Sequence, residues 1–262
     1  MTDLYDRPYQ TDYRNSVWNC GILPVYRQQL YSVYGEYKST AREFFATVNL
    51  THNREWYNRI YEQRIENGQV QRVSLPLSNH GSGYTVKSTL SKGFYDLGLK
   101  TSLMALLNIS KAEQISGGQR LPYQYRLMRL EPKVIWTPNR HWETSYQTDI
   151  RYGGSKIGER TRLAPLWNVI QQVQLSYIFS PIEASLSVDH YHNDVNEDQS
   201  VNAVFADFSV SWKSGRWQIT ATATNLFDKR TYAYTRYASL ESYTSWVRIR
   251  PREFLVAIRY RL

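Results

Sequence analysis

The hydrophobic and polar positions of this chain alternate one by one along many short stretches. In residues 217–224, for example, Trp217, Ile219 and Ala221 alternate with glutamine and threonine side chains. A period of two residues places these two sets on opposite faces of a β-strand. The last thirteen residues, RPREFLVAIRYRL, show the same pattern from residue 253 to the end.

Eleven segments with this period predict eleven strands, most of them longer than strands of globular sheets usually are. The segments are 26–38, 42–56, 82–93, 97–110, 125–136, 141–152, 167–179, 182–190, 204–212, 216–227 and 253–262.

The connections between these segments alternate in length. Short ones, such as those near residues 39, 95, 138, 180 and 214, are followed by longer polar ones at 58–82, 111–121, 154–166, 191–200 and 228–245. Short turns on one rim and long loops on the other are typical of transmembrane β-barrels, whose turns face the periplasm and whose loops face outward. We therefore predict an all-β, antiparallel, up-and-down portion of a transmembrane barrel.

Aromatic residues support a membrane interface. The chain has 22 Tyr and 8 Trp, and tyrosine and tryptophan favour boundaries between apolar and wet surroundings. Several stand at the ends of the predicted strands and would form two girdles: Trp56, Tyr57, Trp136, Trp142, Tyr152, Trp167, Tyr177, Trp212 and Trp217. The register follows as well, because a slip by one residue would turn Asp207, Lys87 or Lys100 toward lipid.

A soluble β-sandwich, serving as an adhesion or carbohydrate-binding module, would show a similar alternation, with the apolar face buried between two sheets. In that alternative, side chains such as Phe208, Val210, Ile219 and Ala221 form an interior core. A second alternative is a porin or small barrel without a plug.

Charge and cysteine content narrow the function classes. The net charge is +9, but the basic residues are scattered and do not form the clustered helix or stripe of nucleic-acid-binding proteins. Cys20 is the only cysteine, so no disulfide within the chain is expected. Residues 1–25 do not read as a secretion signal, and the stretch 163–183, which is uncharged up to residue 182, alternates rather than forming a membrane helix.

The segments TATATNLFDKRTY and RPREFLVAIRYRL together resemble the closing hairpin of TonB-dependent outer-membrane receptors, particularly those of the Bacteroidetes type. The resemblance rests on the following residues: Asn225, Leu226, Phe227, Asp228, Tyr232, Arg250, Pro251, Arg252 and Phe254. It implies that the last strand is also a signal for the barrel assembly machinery, carried by Ala257, Tyr260 and Leu262, where leucine replaces the usual terminal phenylalanine.

The resemblance implies a barrel of twenty-two strands with an amino-terminal plug and a segment that binds TonB. Eleven strands make half of such a barrel, and an open sheet would leave unpaired backbone groups in hydrocarbon. We therefore expect residues 1–262 to be the carboxy-terminal part of the barrel, with 1–25 an outer segment and 26–262 the strands. The plug and the amino-terminal strands would be supplied separately.

Candidate sites for chemistry are few. His190 and His192, near Asp189 and Asp194, lack the third spaced ligand that predicts a metal site, so neither metal nor cofactor is expected. Serine, histidine and carboxylates do not group into a triad or an acid–base pair, and an enzyme is not expected. Outer-loop side chains suited to stacking on and hydrogen bonding a solute are Trp56, Tyr57, Arg59, Tyr61, Tyr234 and Tyr237.

The expected function, implied by the resemblance, is uptake of a nutrient such as a glycan, peptide, siderophore or cobalamin across the outer membrane, by binding and gating. The expected partners are outer-membrane lipid and lipopolysaccharide, the separate plug-bearing half, the TonB system and the assembly machinery. A surface lipoprotein is a further candidate partner, and nucleic acid is not.

Overall fold

A computed structural model describes residues 7–11, 13, 15–66, 69–158, 161–195, 198–238 and 241–261. Within them the chain forms seventeen strands, and the only helical element is a 3₁₀ turn at Tyr95–Leu97. The strands are β1 Tyr9–Gln10, β2 Asn15–Trp18, β3 Tyr26–Ser39, β4 Phe44–Tyr57, β5 Ile60–Glu66, β6 Gln69–Leu75, β7 Asn79–Phe94, β8 Leu99–Ser116, β9 Gln119–Asn139, β10 Trp142–Ile157, β11 Thr161–Phe179, β12 Ile182–Asp194, β13 Ser200–Ser214, β14 Trp217–Thr224, β15 Thr231–Ala238, β16 Glu241–Arg248 and β17 Glu253–Tyr260.

Eleven of these strands form one continuous antiparallel sheet in the order β3-β4-β7-β8-β9-β10-β11-β12-β13-β14-β17, which we call the wall. Each wall strand overlaps one of the eleven predicted segments, so the all-β, largely antiparallel prediction is confirmed. The total of eleven strands was wrong, because six further strands lie in segments predicted as loops. These are β1 and β2 before residue 26, β5 and β6 in 58–82, and β15 and β16 in 228–245.

The prediction of five long loops was also wrong. The alternation continues through most of 111–121, where β8 runs to Ser116 and β9 starts at Gln119. Gly117 and Gly118 join them with φ angles of 59° and 76°, a backbone that glycine adopts without a steric cost. In 154–166, β10 and β11 leave only residues 158–160 between them.

The wall therefore has two different ends. At the turn end, residues 40–43, 95–98, 140–141, 180–181 and 215–216 make the short connections that the sequence predicted. The opposite end, the hairpin end, carries β1–β2, β5–β6 and β15–β16. Two pairings here are parallel, β2 with β6 and β5 with β8. The prediction that the sheet is antiparallel throughout was therefore wrong.

The register gives the wall one apolar and one polar face. One cross-strand row on the polar face runs from Lys100 through Ile135, Ser145, Gln174 and Ser187 to Asp207. Lys87 lies on the same face, so all three charged residues used to fix the register share the polar side. The neighbouring positions on the apolar face are Leu99, Val134, Thr144, Leu175, Leu186, Phe208, Ala223 and Phe254, among others.

Charges on the polar face are paired across strands. The Arg129 guanidinium donates from Nε and Nη2 to the two carboxylate oxygens of Asp149, each at 2.9 Å. Arg151 donates to the same carboxylate at 2.6 Å, and Glu131 forms an ion pair with Arg129. Bidentate pairs of this kind fix side-chain geometry as well as compensating charge.

The apolar face lies open. Val33 is 67% exposed, and in the last strand Phe254 is 74% and Val256 66% exposed. Among the described residues the buried hydrophobic side chains are few, and the largest lie toward the hairpin end: Ile60, Val73, Ile115 and Leu166. The hydrophobic core of the described chain is therefore concentrated beneath the hairpins, and most apolar side chains of the wall lie on its exposed apolar face.

The wall is an open sheet in the part of the chain that the structure describes. β3 pairs only with β4, and β17 pairs only with β14, so a closed barrel is not formed. With eleven alternating strands, β3 and β17 run in the same direction, and pairing them with each other would make a parallel pair.

A substitution at Gly98 tests the close packing at the turn end. Gly98 has φ of 61°, and a Cβ at this position would lie 2.1 Å from the carbonyl oxygen of Thr137. We expect Gly98→Ala to lower the free energy of unfolding by roughly 3 kcal/mol, from the left-handed backbone and the clash together. Denaturant unfolding in detergent measures this effect.

The matched control is Gly215→Ala. Gly215 has φ of 57° with no atom within 4 Å of the added Cβ. Gly215→Ala should lower the free energy of unfolding by only about 1 kcal/mol, which is the cost of the left-handed backbone conformation. Equal losses in the two variants would contradict the packing described for Gly98.

Candidate functional site

A cavity of about 820 Å³ lies at the hairpin end of the described chain. Its wall side is formed by residues at the ends of β4, β7 and β8, most of them on the polar face, including Asn53, Glu55 and Tyr57. Its other side is formed by the β5–β6 hairpin and by residues of β2. The cavity thus lies between the ends of the wall strands and the chain segments that fold back beside them.

The β5–β6 hairpin is held in place by burial and by one carboxylate. Ile60 is fully buried, and Glu62 is only 5% exposed. Glu62 accepts hydrogen bonds from the Arg64 side chain at 2.6 Å and from the Gly118 backbone N–H at 3.2 Å. A buried carboxylate without such donors would be costly, so these contacts fix both the hairpin and the charge.

Arginine and tyrosine side chains line the cavity with flat, polar surfaces. The Arg72 guanidinium lies 3.8 Å from the centre of the Tyr61 ring, and that of Arg59 lies 5.3 Å from it. Opposite them, Glu55 accepts hydrogen bonds from Tyr57 Oη at 2.8 Å and from Asn53 Nδ2 at 2.9 Å. Such a lining can stack on a planar or ring-shaped solute and hydrogen-bond its polar groups.

The predicted solute contacts fall in three places. Tyr57, Arg59 and Tyr61 all line the cavity, whereas Trp56 lies on the apolar face and is 39% exposed. Tyr234 lies in β15, away from this cavity. Tyr237 belongs to the same strand, but its side chain lies outside the described residues.

Sequence reasoning missed several lining residues, above all Arg72, Glu62 and Asn15. Arg72 lies in β6, in a segment predicted as a loop. Its stretch, QVQRVSL, puts Val70, Arg72 and Ser74 on one side and Gln71 and Val73 on the other, so neither side is uniformly apolar and the period-two signal for a strand is weak.

A second constellation at the hairpin end is the turn after β14. Asn225 is buried and has φ of 51°. Its Nδ2 donates to the carbonyl oxygens of Lys229 at 2.8 Å and Arg250 at 2.9 Å, while its Oδ1 accepts from the Lys229 N–H. The Asn225 backbone N–H donates to Asp207 at 2.7 Å. One side chain therefore ties the exit of β14 to the entry of β17.

Asp228 makes the second tie of this turn. Its carboxylate accepts hydrogen bonds from Arg230 Nη2 at 2.9 Å and from the Arg252 backbone N–H at 3.0 Å. These hydrogen bonds, that from Arg230 first, hold the pKa of Asp228 below its usual 3.8. Leu226 extends the ladder through a hydrogen bond to Ala206, and the neighbouring Phe227 is exposed.

Tyr232 joins β15 to the polar face of the wall. Its hydroxyl accepts a hydrogen bond from Asn193 Nδ2, and its ring packs edge-on against Tyr191 and Phe205. Tyr234 stacks beside it at 6.2 Å. The β15–β16 hairpin therefore folds inward over the polar face.

The remaining motif residues lie in or before β17. Pro251 and Phe254 are exposed, and Phe254 faces the apolar side. Ala257 lies on the polar side opposite Thr220, and the Tyr260 ring packs 4.8 Å from that of Trp217. Leu262, predicted as the last residue of the assembly signal, lies outside the described residues.

The described residues contain no group of three or more His, Cys, Asp or Glu side chains arranged to hold a metal ion. In the His192 ring, Nε2 instead lies 3.2 Å from Asp194 Oδ1, and Nδ1 lies 2.9 Å from Asn202 Oδ1. Within the same residues no helix is both long and apolar enough to cross a membrane.

Comparison with known proteins does not identify a family. The sequence matches neither a protein-family model nor a curated protein.

Asn225→Gly tests the tie between β14 and β17. Glycine keeps the positive φ but removes three side-chain hydrogen bonds, and we expect a loss of about 2–4 kcal/mol in the free energy of unfolding. The measurement is the denaturant midpoint. The control is Asn168→Ala, because the Asn168 side-chain oxygen is buried without a partner among the described residues. A larger loss for Asn168→Ala than for Asn225→Gly would contradict the assignment.

The tie at Asp228 predicts a pH dependence. Its pKa in the folded chain is lowered, so the stabilisation is complete above the unfolded value near 3.8 and is lost as the pH falls through the lower folded pKa. We expect amide exchange at Arg252 to accelerate in this acid range in the natural chain. In Asp228→Asn the acid step should disappear. A step that persists in this variant would show that another group controls the amide.

Proposed function

We propose that this chain is part of the wall of a TonB-dependent outer-membrane receptor, with its apolar face on lipid and its polar face toward a lumen. The observation that carries the proposal is the wall itself, an eleven-strand sheet whose apolar side chains point outward and whose charges pair on the other side. Transmembrane barrels have this inverted arrangement, with lipid outside and a polar interior.

The open apolar face favours a membrane over a soluble sandwich. In a sandwich the same side chains would be covered by a second sheet. Here large side chains such as Leu50, Leu107 and Phe208 are 46%, 39% and 41% exposed. Exposed apolar surface of this extent in water would promote association, whereas lipid tails would cover it.

Aromatic side chains on the apolar face lie toward its two ends, as expected for two membrane interfaces. The Trp142 and Tyr177 rings, near the turn end, are 4.6 Å apart. The Tyr152 and Trp167 rings, near the hairpin end, are 4.7 Å apart. Most of the predicted girdle residues share this face, and Tyr57 is the exception.

The two free sheet edges support a partner that completes the barrel. Unpaired backbone groups of β3 and β17 would each cost several kcal/mol in hydrocarbon, so further strands must cover them. In our proposal these strands, the plug and the contact with TonB belong to the amino-terminal half of the receptor.

The cavity is the proposed place of nutrient capture. Its tyrosine, arginine and glutamate side chains suit a polar solute with ring or planar groups, such as a glycan, a peptide, a siderophore or cobalamin. The mechanism is binding followed by gating, without covalent chemistry.

Location in the cell is the first test. The natural protein should sediment with outer membranes and stay in solution only in detergent. Recovery as a single species in plain buffer, with Phe208 and Ile219 protected from labelling, would instead support a soluble sandwich.

Energised uptake is the second test. Cells carrying Tyr61→Ala with Arg72→Ala should take up the labelled nutrient at least about tenfold more slowly, because each lost stacking or charge-assisted contact weakens binding by roughly 1–3 kcal/mol. The panel contains the four solute classes named above. The control is Tyr95→Ala, a tyrosine that is 87% exposed at the turn end. An uptake rate that a protonophore does not change would indicate a plug-less porin.

A further inference from the structure

Arg72 brings a positive charge to the cavity side of the β5–β6 hairpin. The register places Gln63 opposite Arg72 and Ile65 opposite Val70, so these four side chains share one side of the hairpin. Gln63, Val70 and Arg72 line the cavity. Within the described residues Arg72 forms neither an ion pair nor a hydrogen bond, and its guanidinium lies on the Tyr61 ring, 3.8 Å from the ring centre. The cavity therefore contains a cation without an anionic partner from the described chain.

Two carboxylates that border the cavity are held by other cations. Glu62 forms an ion pair with Arg64 at 2.6 Å, and Glu113 forms one with Arg120 at 3.3 Å. By register, Glu62 and Arg64 lie on the opposite side of the hairpin from Arg72. These two carboxylates are therefore compensated without Arg72.

The third carboxylate of the described lining, Glu55, is held by uncharged donors on the wall side. Its Oε1 accepts hydrogen bonds from three side chains of the described chain, of which Asn53 Nδ2 is the closest, at 2.9 Å. Its Oε2 accepts one, from Tyr57 Oη at 2.8 Å. Because a carboxylate oxygen has two lone pairs, Oε2 can accept one more hydrogen bond, from a hydroxyl group of a solute. An anion for Arg72 must come from that solute.

The geometry of Arg72 favours a carboxylate as this anion. The Tyr61 ring covers one face of the guanidinium, and the N–H groups in its plane keep their capacity to donate. Two parallel N–H groups of a guanidinium match the two oxygens of a planar carboxylate. A group with two negative charges would be repelled more strongly by Glu55 in the same cavity, so a singly charged carboxylate fits better than a phosphate monoester.

The other lining side chains favour a solute rich in hydroxyl groups. Carboxamides both donate and accept hydrogen bonds, as sugar hydroxyls do. Those in the described lining are Asn15, Asn53, Gln63, Asn79 and Gln114. The aliphatic side chains of the same lining are Val17, Val70 and Ala112, which offer little surface to an apolar peptide side chain. A volume of about 820 Å³ lies within the range of roughly 300–1,000 Å³ that is usual for sites of small molecules.

We propose that the cavity binds a short oligosaccharide that contains a uronic acid, and that Arg72 determines this specificity. The sugar carboxylate accepts two hydrogen bonds from Arg72. Sugar hydroxyls donate to Glu55 Oε2 and exchange hydrogen bonds with the carboxamides. This inference rests on the proposed capture of a nutrient in the cavity and names the chemical class of that nutrient.

The test measures binding to the full chain by isothermal titration calorimetry, in non-ionic detergent or, if the chain proves soluble, in buffer. The probes are trimers of galacturonate and of mannuronate, each with its fully methyl-esterified form, which keeps the sugar rings and removes the charge. We expect at least one acidic trimer to bind about tenfold or more tightly than its ester. Equal binding within both pairs, or no binding of any probe, would overturn the proposal.

The variant that tests the role of Arg72 is Arg72→Gln. It should bind the preferred acidic trimer at least about tenfold more weakly and the ester within about twofold of the natural chain, because only the acid uses the guanidinium. The control is Arg126→Gln, which removes the same charge at an exposed position outside the cavity and should leave both affinities unchanged. Equal losses for acid and ester in Arg72→Gln would show a structural role only and would overturn the assignment of specificity.

A peptide arm distinguishes the two sources of a carboxylate. Tetraglycine and its carboxy-terminal amide carry the same contrast in charge without sugar hydroxyls. We expect a weaker preference for the acid here, and a preference as large as that of the sugars would overturn the sugar as ligand.

The proposed function fails separately from this inference. If the chain is recovered in plain buffer, the membrane function is refuted, while a preference for acidic trimers that depends on Arg72 would still support the site. Loss of that preference in a chain that depends on detergent and takes up a nutrient refutes only the uronic acid.

Discussion

The period-two alternation, kept in register across eleven neighbouring strands, is the constraint on which the whole structure depends. Each wall strand satisfies its backbone groups with its neighbours, and each pairing fixes which side chains share a face. A slip of β13 by one residue would turn Asp207 to the apolar side, and it would turn Phe208 and Val210 to the polar side. The ladder from β3 to β17 thus determines the apolar surface, the charged surface and the place of every site described above.

The hairpin end shows how the polar face is used. Chain segments that fold back over it need hydrogen-bond partners, and only this face offers them. The Tyr232 hydroxyl accepts a hydrogen bond from Asn193 on this face, and the Asn225 backbone N–H donates one to Asp207. The β5–β6 hairpin uses Glu62 in the same way, against the turn at Gly118. The cavity follows from this folding, because β2 and the β5–β6 hairpin leave space between themselves and the wall.

Much of the wall could be predicted from sequence, since period two is a local signal. Segments such as 217–224 carry it without interruption, and three of the five short turn-end connections contain the glycine or proline that marks turns. The extra strands were harder to predict. β15 and β16 exist as a pair that rests on Tyr232, and β6 pairs with β2 more than fifty residues earlier. The cavity depends on those distant pairings, so Tyr57, Arg59 and Tyr61 could be predicted from composition but Arg72 could not be placed beside Tyr61.

The open edges restrict what can complete the wall. Because β3 and β17 run in the same direction, an all-antiparallel closure needs an odd number of added strands, and the total is then even. A second copy of the wall would add eleven strands and meet this condition by parity. Both edge strands of that copy would have to run opposite to β17 and β3, so the copy would be inverted, with its hairpin end beside the turn end of the first wall. Any partner that completes the barrel must therefore begin and end with strands that run opposite to these two edges, and this directional requirement is fixed by the wall alone.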